Sequence, residues 1–130
     1  MKTLTTWVAD HQFISEQNRQ RISIDGSLQK GMSPKALLLS GIAGCSAIDV
    51  VDILVKMRVS FSQFEVSAEA AQTEEHPRVF TQIDLVYRID VDAADMDKVK
   101  KAVDLSLEKY CGVAAMLRKN SPIGYKIELI

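Results

Sequence analysis

The spacing of apolar residues along the chain changes several times, and each change marks an element. Leu4, Thr6 and Val8 alternate with Thr3, Thr5 and Trp7, which predicts a strand over 2–9. Asp10-His11 reads as a turn, Gln12–Glu16 as a second strand, and Arg21–Asp25 as a third that ends at Asp25-Gly26. Ser27–Met32 is polar and is expected to be a flexible connection. Ser33 then offers an N-cap and Pro34 suits a first helical position, where a missing N–H costs nothing. The helix predicted from Lys35 to about Met57 is apolar on nearly all sides, so it is expected to run through the middle of the fold. Ser40, Gly41, Ala43, Gly44 and Ala47 make one side small enough for another element to approach closely.

Period-two alternation returns in Phe61–Gln72 and Arg78–Val91. In the second, Val79, Thr81, Ile83, Leu85, Tyr87 and Ile89 form one face. Thr73–Pro77 reads as the turn of an antiparallel hairpin. Asp92, Asp95 and Asp97 are alternative caps for a helix whose seam is Val99, Val103, Ser106 and Tyr110. Cys111-Gly112 interrupts it, a short helix follows over Val113–Leu117, Ser121-Pro122 ends that piece, and Tyr125–Ile130 is a last strand. The order β-β-β-α-β-β-α-α-β predicts an α+β domain with helices on one side of largely antiparallel sheets. No repeat or linker divides it, so residues 1–130 are expected to form a single domain.

Charge narrows the choice of partners. With 16 basic and 17 acidic residues the net charge is −1, and no basic cluster exists to neutralise phosphates, so no nucleic-acid partner is expected. Ala36–Val55 has the length of a membrane span, but it carries Asp49 and Asp52, which are costly in hydrocarbon; a core helix is the cheaper assignment. Met1–Ile14 has no apolar secretory core, so a cytoplasmic location is expected, where thiols stay reduced. Two cysteines in that setting are either small core residues or a redox pair.

On a helical wheel Leu38, Ile42, Asp49, Asp52 and Lys56 fall within about 60° of Cys45, which puts a thiol and two carboxylates on one face. Buried carboxylates need partners. Asp49 either answers an arginine or lysine from a strand or a partner chain, or acts beside the thiol. One turn from Cys45, its charge would raise the thiol pKa, so activation needs a cation nearby. Cys111, at a helix break, is either a core residue or a thiol near a helix N-terminus, which favours the thiolate. His11 and His76 sit in predicted turns without metal-like spacing, and no phosphate loop, G-x-S-x-G elbow or CxxC is present. No metal or cofactor is implied.

Ser33-Pro34, the following apolar run and Ala43-Gly44-Cys45-Ser46-Ala47-Ile48-Asp49-Val50-Val51 together resemble the central-helix motif of the OsmC/Ohr family. Leu105-Ser106-Leu107-Glu108-Lys109-Tyr110-Cys111-Gly112-Val113-Ala114 resembles its second-cysteine segment, and Pro77-Arg78-Val79-Phe80 a strand start of the same family. The resemblance spans nearly the whole chain and is nearest to the YhfA-like branch. It implies an OsmC-like fold, antiparallel sheets around a long central helix, in an intertwined homodimer with sites at the interface. It also implies a thiol-dependent peroxidase for organic hydroperoxides, with Cys45 as the peroxidatic and Cys111 as the resolving cysteine, regenerated by a cellular dithiol. The family holds its thiolate with a glutamate just after the proline and an arginine from a preceding loop. Here Lys35 and Ala36 follow Pro34, and Ser23 takes the arginine's place, with Arg19 and Arg21 nearby. A cation about 4 Å from a thiolate is worth about 4 kcal/mol at an effective dielectric of about 20. The alternative implied is a non-catalytic relative that binds a small apolar ligand at the dimer interface.

Overall fold

A computed structural model describes residues 1–130 and divides them into two compact units, Met1–Leu38 and Leu39–Ile130. In the first, β1 (Leu4–Ala9), β2 (Gln12–Gln17) and β3 (Gln20–Asp25) form an antiparallel sheet in that order. Asn18 and Arg19 both have positive φ, 48° and 69°, the type I′ geometry that matches strand twist, so Arg19 is a turn residue. Arg21 lies in an exposed ion pair with Glu16 on the adjacent strand.

The connection over 27–32, expected to be flexible, is instead pinned. Asp25 is 1% exposed. Its carboxylate accepts the backbone N–H groups of Ser27 at 2.8 Å, Gln29 at 3.2 Å and Lys30 at 3.0 Å. These bonds, led by Ser27, hold the Asp25 carboxyl below its ordinary pKa, against the opposing effect of burial. Gly31 passes so close to β3 that a Cβ there would sit 2.7 Å from the Ser23 carbonyl. The polar composition therefore marks an Asp-anchored loop, whose donors are satisfied locally.

Helix α1 (Pro34–Lys56) starts as its cap predicts, with Ser33 Oγ accepting the Ala36 N–H at 3.4 Å. It ends in a Schellman motif: Val59 N–H donates to Leu54 C=O and Arg58 N–H to Val55 C=O, both at 3.0 Å. Arg58 holds the left-handed position, φ 58°, that glycine usually fills.

In the second unit β4 (Phe61–Gln72) pairs antiparallel with β5 (Phe80–Val91), and β5 pairs with β6 (Ile123–Leu129). That second pairing is parallel, the one exception among otherwise antiparallel pairings, so the sheets are largely antiparallel as expected. The physical reason is the crossover. The chain between β5 and β6 runs through α2 (Met96–Leu105) and α3 (Gly112–Arg118), and a helical crossover returns the chain to the end where it started. A β-bulge near Gln72 shifts the start of β5. Phe80 is therefore buried with Ile83, Leu85, Tyr87 and Ile89, while Val79 and Thr81 lie outside the face predicted for them.

The core of this unit combines Ile42, Val50 and Leu54 of α1 with that β5 face and with Val99, Ala102, Val103 and Leu107. By length and composition α1 is sufficient to cross a bilayer. Here one stripe of it, Ile42, Ser46, Val50 and Leu54, is buried, while Ile48 and Val55 remain 65% and 63% exposed. The expected all-round burial is thus half met: a second apolar face lies open in the single chain.

Candidate active site

Two elements converge at the thiols. Cys45 and Asp49 stand one turn apart on α1, the i, i+4 spacing that stacks side chains on one side of a helix. Cys111 arrives from the opposite direction, through a break in helical geometry. After α2 the chain makes a π-helical turn over Ser106–Tyr110, closed by Cys111 N–H donating to Ser106 C=O at 2.7 Å. That wider turn admits one extra residue. It moves Leu107 into the core and leaves Tyr110 54% exposed, so the seam predicted through Tyr110 ends at Ser106. Cys111 then adopts extended backbone (φ −73°, ψ 103°) as the N-cap of α3, its Sγ accepting the Ala114 N–H at 3.3 Å.

The sulfurs of Cys45 and Cys111 and a carboxylate oxygen of Asp49 all lie within 4.8 Å of one another. Both cysteines are free; Cys45 is half-buried and Cys111 is 3% exposed. Burial pushes the Cys111 thiol up to about 11 from an ordinary value near 9. The Ala114 N–H opposes this shift, while the hydrogen bond to Cys45 and the charge of Asp49 add to it. The helix-terminus effect expected for Cys111 is therefore present but outweighed by desolvation.

Asp49 meets a buried hydroxyl chain. Ser106 Oγ lies 3.0 Å from Asp49 Oδ2 and 2.9 Å from Ser46 Oγ, which in turn lies 2.6 Å from the Tyr87 hydroxyl. The Ser106 hydroxyl is oriented to donate towards both Asp49 and Ser46, and either oxygen can donate between Ser46 and Tyr87, so the three hydroxyls link Tyr87 to Asp49 in one connected chain. Ser46, Ser106 and Tyr87 are fully buried, and burial raises the Tyr87 hydroxyl to about 12. Ser106 thus supplies the partner that Asp49 requires, a role the sequence left to an arginine or lysine. Asp52 is exposed and needs none. The signal for Ser46 and Ser106 was present in the chain: each is a hydroxyl on an otherwise apolar face, and a buried hydroxyl demands a partner.

Beside Asp49 opens a cavity of about 370 Å³, lined by Asp52, Ile53, Lys56, Met57, Leu105 and Tyr110. Its walls are chiefly apolar, with Lys56 the lining cation. His11 belongs to the N-terminal unit, where its Nδ1 lies 3.1 Å from Ser27 Oγ.

The family model described as OsmC-like protein matches residues 26–126, including both cysteines and the hydroxyl chain. This chain belongs to the OsmC-like family. Among OsmC-like proteins it is 39% identical to Protein YhfA of Escherichia coli strain K12, over all of this chain and 98% of that one. The crystal structure of a hypothetical protein from Aquifex aeolicus VF5 superposes with a TM-score of 0.84 at 27% identity, covering 99% of this chain and 96% of the other. The organic hydroperoxide resistance protein OhrB of Bacillus subtilis shares the fold, with a TM-score of 0.67 at 17% identity over 99% and 96% of the two chains. The OsmC-like architecture expected from the sequence is therefore the one this chain adopts.

Proposed function

We propose that this OsmC-like protein is a thiol-dependent peroxidase that reduces organic hydroperoxides. The observation that carries the reading is the approach of Cys45 and Cys111 to within 4.8 Å. A disulfide needs the sulfurs about 2.05 Å apart, so the two must still draw closer to bond. The difference in exposure supports the division of roles, with the half-buried Cys45 as peroxidatic and the buried Cys111 as resolving thiol. The Cys45 thiolate attacks the O–O bond, forming Cys45–SOH, and the departing alkoxide takes a proton to leave as alcohol. Cys111 then displaces water from the sulfenic acid, and a cellular dithiol reopens the disulfide while becoming oxidised itself. The apolar wall of Ile53, Met57 and Leu105 suits the organic part of the substrate. A family neighbour named for organic hydroperoxide resistance supports the same reading.

Stopped-flow mixing of the reduced protein with cumene hydroperoxide tests it. Rapid loss of both thiols is expected, and a Cys111→Ser variant should accumulate sulfenic acid at Cys45. Thiol loss no faster than that of free cysteine would reject the reading. One observation favours a second: Lys35, Ala36 and Ser23 replace the family's glutamate and arginine, as a non-catalytic relative binding a small apolar ligand would tolerate. We also propose a cytoplasmic homodimer without nucleic-acid or membrane partners. The uncovered face of α1 with Ile48 and Val55 supports the dimer, as do Leu4, Trp7 and Val8 exposed on β1. A monomer mass by sedimentation at micromolar concentration would reject that assembly.

A further inference from the structure

We propose that Cys45, Cys111 and Asp49 form a binding site for one thiophilic divalent ion of the zinc class per chain, with solvent supplying the fourth ligand. Zinc binds thiolates at about 2.3 Å and carboxylates at about 2.1 Å in a tetrahedron, which puts donors about 3.6–3.8 Å apart. The three donor atoms here already lie within 4.8 Å of one another, so closing on an ion takes side-chain adjustment of about an ångström. The donors come from two fixed elements: a one-turn pair on α1, and the residue that opens α3.

The surroundings also match those of a metal site. Zinc ligands are held by an outer layer of hydrogen bonds that orients them. Asp49 has such a layer in Ser106 at 3.0 Å, itself backed by Ser46 at 2.9 Å and the Tyr87 hydroxyl beyond, all fully buried. Two sulfurs with one oxygen is a borderline-soft set that selects zinc over magnesium or calcium, which take oxygen ligands alone. Binding engages both sulfurs as thiolates and Asp49 as a carboxylate, any proton they carry passing to solvent. The inference uses only reduced thiols and stands independently of the peroxidase reading. If both hold, a bound ion keeps Cys45 from oxidation until it leaves.

The reduced protein should be titrated with zinc against a chromophoric chelator, without peroxide, so that failure here and failure of the peroxidase assay are separate results. One ion per chain is expected, with no competition from excess magnesium. Cys45→Ser and Cys111→Ser should each weaken binding about 100-fold, and Ser106→Ala about 10-fold. Zinc should also slow alkylation of Cys45 in the wild-type protein, a readout that needs no variant to fold. Affinity unchanged by Cys111→Ser, or alkylation at the same rate with and without zinc, would each overturn the site.

Discussion

Cutting the hydroxyl chain at its middle should cost far more than trimming its end. Tyr87 is fully buried and its hydroxyl reaches only Ser46, 2.6 Å away. Tyr87→Phe removes that hydroxyl with little change in volume and leaves Ser46 one bond short, a loss of about 1–2 kcal/mol. Ser46→Ala strands the Tyr87 hydroxyl in the core and also takes from Ser106 its hydroxyl partner 2.9 Å away. Two groups then lose partners at about 1–2 kcal/mol each, for a total of about 2–4 kcal/mol. In the double variant only Ser106 is left short of a partner, so the combined loss should fall below the sum of the singles by about 2–4 kcal/mol. In a chain of this length about 1 kcal/mol moves the melting temperature by about 4 °C, so Ser46→Ala should lower it by about 8–16 °C. Far-UV circular dichroism at one fixed protein concentration is the appropriate assay. Trp7, the single tryptophan, lies on β1, and its fluorescence reports on the other unit. Strict additivity, or a Tyr87→Phe variant as stable as wild type, would refute the connected chain.

Three further outcomes are expected. Because the Cys111 pKa is raised to about 11, its alkylation, followed by peptide mass spectrometry, should climb about tenfold per pH unit up to that value. The folded state favours the neutral thiol. Its contribution to stability is therefore present below pH 9 and is lost as the pH rises from about 9 to about 11, which urea melts across that range will register. Arg58→Gly should stabilise the protein by about 0.5–1 kcal/mol in urea unfolding, because the residue sits at φ 58° in a Schellman motif where a side chain is a burden. Gly31→Ala should destabilise it by about 1–3 kcal/mol in the same assay, since the new Cβ would meet the Ser23 backbone at 2.7 Å.

Much of this was legible in the chain before any coordinates. The Ser33-Pro34 start of α1, the hairpin of β4 and β5, and the break at Cys111 follow from capping, period-two alternation and turn residues, signals local enough to read directly. The direction of β6 was not legible, because alternation is the same for a strand running either way. The π turn was equally silent: one added residue in a helical turn changes no composition, only the face on which everything after Ser106 falls. The resemblance named Cys45 and Cys111 as partners, and the structure brings their sulfurs together with Asp49. Ser46 and Ser106 stand 60 positions apart, so their pairing depends on tertiary packing that no local pattern encodes.

The π turn also acts as a spacer that sets which way the second thiol faces. Residues in an α-helix advance by about 100° each, so excising one residue from 106–110 would swing Cys111 roughly a quarter-turn around its axis. A chain shortened there would retain both cysteines and every apolar contact of α2, yet aim one sulfur away from the other. In this architecture the meeting of the two thiols depends on a single surplus amino acid.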